Sequence, residues 1–371
     1  MQDKVEEVQS LMTEGERVMN ICNACRYCEG FCAVFPAMER RLSFANGDLR
    51  YLANLCHDCR ECYYACQYAP PHEFKINVPK VLTRIRRQSY QEYAWPAGLA
   101  RFFTQPVFMM ILSMLIIPLI FIGAGIFDKG VDGLLQAYTD AQGSFYQIMS
   151  HTVMTGVFGV VGLYVLVAFI IGWINFSRDM HPDDVPSSGW AEVKQALKDI
   201  LTLRYLGSSG DGCAYPDANQ SLMRRNFHHF TFYGFMLCFA ATSVATIYHY
   251  VLNYPAPYPL LSLPVILGTL GGIGLIIGPC GLLYLKKIQD KKPSDEIQSS
   301  ADTTLLLILL LISITGLLLM VLRETSWMGF LLLVHLGLVM GLFLSMPYGK
   351  FVHGIYRFGA LLRFTSEGRK S

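Results

Sequence analysis

Two stretches decide the fold: ICNACRYCEGFC at residues 21–32 and LCHDCRECYYAC at residues 55–66. Each has the spacing C-x2-C-x2-C-x3-C, so together they hold eight of the eleven cysteines. A [4Fe–4S] cluster needs four thiolates, and in this spacing the fourth cysteine of each run serves the other cluster. The repeat therefore predicts two such clusters.

The predicted ligand sets follow from this exchange of the fourth cysteine. Cluster one is expected on Cys22, Cys25, Cys28 and Cys66, and cluster two on Cys56, Cys59, Cys62 and Cys32. Structural zinc sites and a disulfide framework are the alternatives. Zinc would leave the third and fourth cysteine of each run without a clear role. Disulfides are disfavoured because nothing at the N-terminus exports this segment to an oxidising compartment.

The cysteines are expected on helices. In the compact bacterial ferredoxin run a proline directly follows the fourth cysteine, whereas Ala33 and Gln67 stand there in this chain. The segments Asp3 to Met19 and Asp48 to Leu55 repeat apolar residues on one helical face. This arrangement resembles the α-helical ferredoxin modules of succinate dehydrogenase iron–sulfur subunits and of heterodisulfide reductase subunits.

Long apolar runs dominate the rest of the chain. Apolar residues make up 53% of the sequence and charged residues only 16%, far from the averages of soluble proteins. A helix of ~20 residues crosses a ~30 Å hydrocarbon core. Six runs reach that length, at residues 106–127, 151–174, 230–252, 260–285, 303–322 and 327–346.

Basic residues indicate how these spans are oriented. Lysine and arginine are frequent before span one, between spans two and three, after span four and after span six, and they are scarce in the other connections. By the positive-inside rule, both termini and the cluster domain are cytoplasmic, in a multi-pass protein of the bacterial inner membrane. Residues 1–10 lack the apolar stretch of a secretory signal. The net charge of +2 gives no indication of a nucleic-acid partner.

The expected domains follow these elements. They are a double-cluster domain at 1–78, a membrane-surface linker at 79–105, the six-span bundle at 106–346 and a cytoplasmic C-terminal tail at 347–371. The linker is basic and aromatic-rich, which favours the membrane surface over a solvated connection. Within the bundle, residues 190–206 carry an apolar stripe opposite lysines and are expected to form an interfacial helix, on the membrane or against the cluster domain.

Three cysteines lie outside the two stretches. Cys213 has no partner spacing, and Cys238 and Cys280 lie inside spans, so a structural role is expected for each. Glycines four residues apart in span four predict close helix packing. No G-x-G-x-x-G motif follows a strand, so neither a flavin nor a nicotinamide domain is expected.

Histidines in the spans form a second candidate site, because ionisable residues are costly inside a membrane and usually functional. His335 and His353 are eighteen residues apart, which is five turns of a continuous helix. Provided that Pro347 does not bend this helix much, they are predicted to project from one face at two levels, where one or two b-type haems would bind.

Partners for these histidines are expected from other spans. His228 or His229 is the predicted partner at the cytoplasmic level, and His249 or His151 at the outer level. The alternative is that they are interfacial residues or hydrogen-bonded core residues. Arg224 and Arg225, just before span three, either meet haem propionates or simply obey the positive-inside rule, and the second interpretation is favoured.

Four motifs are spread along the chain: LCHDCRECYYACQYAPPHEF at 55–74, GDGCAYP at 210–216, RRNFHHFTFYGF at 224–235 and ATIYHY at 245–250. Through them the chain resembles the tricarballylate or citrate utilization protein B family over nearly its whole length. Span six also resembles the dihaem cytochrome b subunit of respiratory nitrate reductase. The expected fold class is all-α, with an N-terminal α-helical ferredoxin-like domain followed by a six-helix transmembrane cytochrome b-like bundle.

The family resemblance implies a membrane electron-transfer protein. It would reoxidise a separate flavin-dependent dehydrogenase similar to tricarballylate utilization protein A, and pass electrons through two [4Fe–4S] clusters and haem b to membrane quinone. No residue of this chain is assigned as catalytic. One alternative is a quinol-oxidising module like those of heterodisulfide or nitrate reductase. Another, from a different class, is a zinc-stabilised citrate permease, although no inverted repeat is visible between spans one to three and four to six.

Overall fold

The computed structural model describes residues 2–103, 105–138, 143–180, 188–207 and 210–368. Helices form most of this part of the chain. Extended structure in it is limited to two short strands, β1 (Cys213–Ala214) and β2 (Gln220–Ser221), which pair antiparallel. The predicted all-α class is confirmed.

The N-terminal helices surround the two cysteine stretches. They are α1 (Gln2–Cys25), α2 (Val34–Glu39), α3 (Asn46–Leu55), α4 (Glu61–Tyr64), α5 (Val78–Tyr93) and α6 (Ala97–Phe103). The carboxylate of Asp48 caps α3 by accepting a hydrogen bond from the Ala45 N–H at 3.3 Å. Asn77 caps α5 by accepting from the Lys80 N–H at 3.2 Å. The predicted helical character of this domain is confirmed.

Six spans follow, and each is long and apolar enough to cross a membrane. The first is α7 (Pro106–Ile111), a π-helical turn (Leu112–Ile116) and α8 (Ile117–Leu134). After the short α9 (Ser144–Ile148) comes α10 (His151–Met180), then α11 (Trp190–Leu201) outside the spans, and α12 (Met223–Tyr250). The remaining helices are α13 (Leu263–Ile288), α14 (Glu296–Leu322), α15 (Met328–Ser345) and, again outside the spans, α16 (His353–Gly368).

The first part of the segment predicted as a membrane-surface linker, helix α5, packs instead in the core of the N-terminal domain. Leu82 and Ile85 of α5 are fully buried, in the same apolar cluster as Leu49 and Leu52 of α3. The side chain of Arg86 is also buried, at 2% exposure, because backbone carbonyls accept its hydrogen bonds. The basic residues of this segment therefore do not all face the membrane surface.

The segment predicted as a C-terminal tail is a packed helix. Ala360 and Leu361 of α16 are fully buried in the core of the N-terminal domain. Glu367 of α16 forms an ion pair with Arg41 at 2.7 Å, and Arg363 forms one with Asp48 at 3.3 Å. Residues 369–371 lie outside the described part of the chain. Helix α16 thus packs against the N-terminal domain.

Helix α11 has one buried and one exposed face. Its buried residues include Glu192, Ala196 and Asp199, and Thr365 of α16 donates a hydrogen bond to the Glu192 carbonyl at 3.5 Å. Trp190 on the opposite face is 68% exposed. Helix α11 is expected from the sequence either on the membrane or against the cluster domain. The structure shows contact with the cluster domain, because Ala196 lies in its core cluster.

The predicted close packing through the glycines of span four is confirmed. A Cβ atom on Gly278 of α13 would lie 2.5 Å from the backbone nitrogen of Thr231 on α12. At Gly234 of α12 it would lie 2.9 Å from the carbonyl oxygen of Gly271. Only a residue without a side chain permits such backbone contact. This packing holds α12, with its histidines, against α13.

The single helix predicted to join His335 and His353 is wrong. Helix α15 ends at Ser345, a turn and a short 3-10 segment (Lys350–Val352) follow, and α16 starts at His353. Pro347 lies in this break, and proline cannot donate the backbone hydrogen bond that continues a helix. The two histidines therefore belong to separate helices.

Candidate metal centres

Each cysteine stretch begins at the end of a helix and then turns sharply. Helix α1 ends at Cys25, and α3 ends one residue before Cys56. Arg26, Asp58 and Arg60 have positive φ angles of 55, 54 and 66°, which non-glycine residues rarely adopt. Such backbone conformations concentrate at ligand-holding sites.

The first group of cysteines surrounds a cavity at the end of α1. Cys22, Cys25, Cys28 and Cys66 all line it. Burial raises the pKa of the Cys22 thiol to about 12, and the neighbouring Cys66, Cys28 and Cys25 add to this increase. The fold therefore brings the fourth cysteine of the second stretch to the first three of the first stretch.

The second group lies deeper in the protein. Cys56, Cys59 and Cys62 are 7%, 6% and 9% exposed. Burial raises the pKa of the Cys32 thiol well above its ordinary value, followed by the effects of Cys59 and Cys56. The pKa of Cys62 is raised by burial and then by Cys59, Cys32 and Cys56. The fourth cysteine of the first stretch is thus a neighbour of the first three of the second.

Across the described residues, no three His, Cys, Asp or Glu side chains are arranged as the ligands of a single metal ion. In the second group, burial raises the pKa of the Cys32, Cys56 and Cys62 thiols. Grouped cysteines of this kind suit a positively charged multi-iron core, which binds thiolates.

Cys213 is a neighbour of the second group that sequence reasoning missed. This fully buried residue donates a hydrogen bond from Sγ to the Leu206 carbonyl at 3.2 Å, and it lies in the same buried cluster as Cys59. The preceding Gly212 has a φ of 107°, and a Cβ atom there would lie 2.3 Å from the Ser221 carbonyl oxygen. The motif GDGC was the available signal, because its glycines permit this approach.

Three arginines bind the backbone of the loop from Cys56 to Cys59. The Cys56 carbonyl accepts hydrogen bonds from Nη1 of Arg86 at 2.6 Å and from Nη2 of Arg357 at 2.7 Å. Nη1 of Arg224 donates to the Asp58 carbonyl. The interpretation of Arg224 as a purely topological charge is therefore incomplete, because this residue also contacts the cysteine loop.

His57 lies inside this loop and is only 7% exposed. Its ring contacts that of Tyr205, with centroids 5.5 Å apart. Burial, followed by the charge of Arg357, lowers the pKa of His57 well below its usual value. His57 is therefore a neutral, packed side chain.

One pair of the predicted histidines meets face to edge. The rings of His228 on α12 and His353 on α16 have centroids 6.1 Å apart and planes at 74°. Nδ1 of His353 donates a hydrogen bond to the Lys350 carbonyl at 2.6 Å, which leaves Nε2 as the nitrogen with a free lone pair. Burial, then Lys350 and Arg357, lowers the pKa of His353, so this imidazole stays neutral.

His229, next to His228, points elsewhere. Its ring lies 5.7 Å from that of Tyr233, one turn along α12. Of the two candidates for the cytoplasmic level, the fold brings His228, and not His229, into ring contact with His353.

The outer histidines have a different arrangement. His151 and His249 stack with ring centroids 3.8 Å apart and planes at 13°, which is too close for a metal between the rings. His335 pairs its Nδ1 with the Thr315 hydroxyl at 3.0 Å and packs against Gly316. Among the described residues, no ring contact joins His335 to His151 or His249.

Comparison with known proteins covers both parts of the chain. Residues 15–92 match the family described as citrate utilization protein B Fer4-like domain, and residues 103–371 match citrate utilization protein B. The chain is 50% identical over 358 residues to citrate utilization protein B of Escherichia coli, which covers 96% of this chain and 93% of the relative. No solved structure matches the chain. The chain therefore belongs to the citrate utilization protein B family.

Proposed function

We propose that this protein is a membrane electron-transfer component that reoxidises the flavin of a partner tricarboxylate dehydrogenase and passes the electrons to membrane quinone. Membership of the family supports a role in citrate or tricarboxylate utilization with iron–sulfur electron transfer. The observation that carries the finer proposal is the position of His353. It is one helical turn from Arg357, whose guanidinium binds the carbonyl of Cys56 at 2.7 Å.

The eight cysteines of the two stretches would hold two [4Fe–4S] clusters. The first would be held by the group that lines the cavity at the end of α1, and the second by the buried group, in the sets Cys22, Cys25, Cys28, Cys66 and Cys32, Cys56, Cys59, Cys62. Thiolates are the ligands that such clusters use. The half-buried position of the first group supports its role as the entry point, because a partner can approach it.

His228 and His353 would hold a b-type haem. The fold brings their rings together from α12 and α16, with centroids 6.1 Å apart, and an imidazole nitrogen is a ligand that haem iron uses. Nδ1 of His228 is buried without a hydrogen-bond partner among the described residues, and cationic Arg224, Arg357 and Lys350 nearby suit the carboxylates of haem propionates.

A second haem would lie at the outer level of the bundle. His335, His249 and His151 remain the proposed ligands, but a haem there requires the stacked rings of His151 and His249 to separate. Bound in these sites, clusters and haem supply the one-electron steps that connect a two-electron flavin to quinone. The protein's own part is to hold the carriers in a fixed order, exclude water from the buried group, and orient His353 through the Lys350 carbonyl.

The proposed orientation puts the N-terminal domain on the cytoplasmic side of the bacterial inner membrane. Lysines and arginines concentrate at the ends of the spans next to this domain, such as Lys286 and Lys287 at the end of α13. The partner dehydrogenase, similar to tricarballylate utilization protein A, would dock at the first cysteine group, where Tyr27 lines the cavity and is 68% exposed.

The test uses the full-length protein purified in detergent under anaerobic conditions. We expect iron, acid-labile sulfide and a b-type band in the reduced-minus-oxidised spectrum, and reduction of a water-soluble quinone when the partner dehydrogenase and tricarballylate are added. Absence of both acid-labile sulfide and the haem band would overturn the proposal. Cofactors without reduction by the dehydrogenase would overturn the assigned partner.

A further inference from the structure

Two arginines are related in the same way to the two facing histidines. Arg224 precedes His228 by four residues on α12, and Arg357 follows His353 by four residues on α16. Residues four apart lie on the same face of a helix, about one turn from each other. Each helix therefore presents one histidine to the pair and one arginine beside it.

Both arginines contact the loop from Cys56 to Cys59. Arg357 donates to the Cys56 carbonyl at 2.7 Å and, just before the loop, to the Asn54 carbonyl at 3.5 Å. Arg224 donates to the Asp58 carbonyl. Arg86 of α5 adds a third contact, to Cys56 at 2.6 Å. The loop that carries Cys56 and Cys59 is thus tied to the two helices of the histidine pair and to the N-terminal core.

Asp58, in the same loop, is a carboxylate whose charge acts on both Arg86 and Arg224. In the described part of the chain, however, no ion pair with a carboxylate oxygen within 4.0 Å involves any of these three guanidinium groups. Arg86 is only 2% exposed, and Arg224 packs over the Tyr215 ring at 4.7 Å. Buried cations are costly unless an anion lies nearby. A cluster with four thiolate ligands is such an anion.

Among the described residues, the first cysteine group has fewer buried cations beside it. Arg26 donates a hydrogen bond to the Asn23 carbonyl at 3.1 Å, but its side chain is exposed. At the second group, Arg86 is buried and Arg224 and Arg357 are half-buried, and all three donate to the carbonyls of Cys56 or Asp58. The two groups therefore differ in the number and burial of the cations beside them.

We propose that Arg86, Arg224 and Arg357 make the cluster of Cys32, Cys56, Cys59 and Cys62 the more easily reduced of the two, and that Arg224 and Arg357 position it as the direct electron donor to the haem of His228 and His353. This rests on the function proposed above. Positive charge stabilises the form with one additional electron. In the transfer, one electron leaves the cluster and one reaches the haem iron, and no bond or proton changes place.

The experiment is an anaerobic redox titration of the full-length protein, with the clusters followed by electron paramagnetic resonance and the haem by absorption. Cys25→Ser and Cys62→Ser assign each cluster signal to a cysteine group. In Arg357→Gln and in Arg86→Gln, we expect the ratio of reduced to oxidised second cluster at a given potential to fall about tenfold, which is ~59 mV for a one-electron couple. The first cluster should be unchanged.

Arg225→Gln is the matched control. Arg225 is adjacent to Arg224 on the same helix, but it donates to the Thr202 carbonyl, at 2.8 and 3.2 Å, and not to the cysteine loop. It should leave both cluster potentials unchanged. Arg357→Lys keeps the positive charge, so the potential of the second cluster should stay close to that of the wild type. If Arg357 had a purely structural role, lysine would not rescue the potential.

Several results would overturn this inference. One is that both cluster potentials stay unchanged in the glutamine variants, and another is that the shifted signal is the one assigned through Cys25. If Arg357→Gln fails to assemble, Arg86→Gln decides on the same criterion. The wild type separates this test from that of the proposed function: if it shows both clusters and haem, the cofactors are established and only the role of the arginines is in question.

Discussion

The rings of His228 on α12 and His353 on α16 pack face to edge, with centroids 6.1 Å apart. They come from helices 125 positions apart in the chain, and each has an arginine one turn away that contacts the cysteine loop. This relationship joins the membrane part of the protein to its cysteine domain.

Replacing either histidine should remove the haem. In His353→Ala and His228→Ala, one axial ligand is lost, and we expect loss of most of the b-type absorption in the purified protein, with iron–sulfur content retained. His229→Ala is the matched control, because its ring contacts Tyr233 and not His353. Normal haem spectra in both alanine variants would contradict the ligand assignment.

The exchange of the fourth cysteine between the two groups can be tested by pairs of variants. Cys66→Ser should abolish the same electron paramagnetic resonance signal as Cys25→Ser. The two residues are 41 positions apart, but both line one cavity. Cys32→Ser should abolish the same signal as Cys62→Ser. Iron should fall by roughly half in each. Cys280→Ser, an exposed thiol on α13, should change nothing. The exchange is wrong if Cys66 and Cys62 share a signal.

The ion-pair network of α16 should stabilise the cysteine domain. Glu367 binds Arg41 at 2.7 Å and Arg363 at 2.8 Å, with all three side chains at most 13% exposed. Glu367→Ala leaves two buried guanidinium groups with one fewer carboxylate, and removal of one buried partner costs about 3 kcal/mol or more. A lower melting temperature of the detergent-solubilised protein is the measurement. Glu16→Ala, at an exposed position of α1, should have little effect.

Glycine packing between α12 and α13 gives a prediction with an internal control. In Gly278→Ala, the added methyl group meets backbone atoms of Thr231 at 2.5 Å and of Phe227 at 2.8 Å. Such overpacking costs roughly 1–3 kcal/mol, and it should also weaken haem binding by displacing α12. In Gly156→Ala on α10, nothing lies within 4 Å of the new atom. Equal stability of the two variants would show that this contact is not tight.

The sequence by itself determined the features that depend on neighbouring residues. Eight cysteines in one repeated spacing predicted two metal groups, because such ligation uses residues a few positions apart. Six uncharged runs predicted six spans, since length and polarity alone decide whether a helix can cross a membrane. Both kinds of pattern are local, and the six spans and the helical N-terminal domain agree with the structure.

Only the tertiary structure decided which distant residues meet. The choice of His228 over His229 depends on how α12 rotates against its neighbours, and the helical period alone does not set that rotation. The break before His353 arises from the turn around Pro347. The prediction that one continuous helix carries both His335 and His353 was therefore wrong. Contacts of Arg357 with Cys56 and of Cys213 with Cys59 join segments 301 and 154 positions apart. Such contacts are made by packing across helices, and no spacing along the chain encodes them.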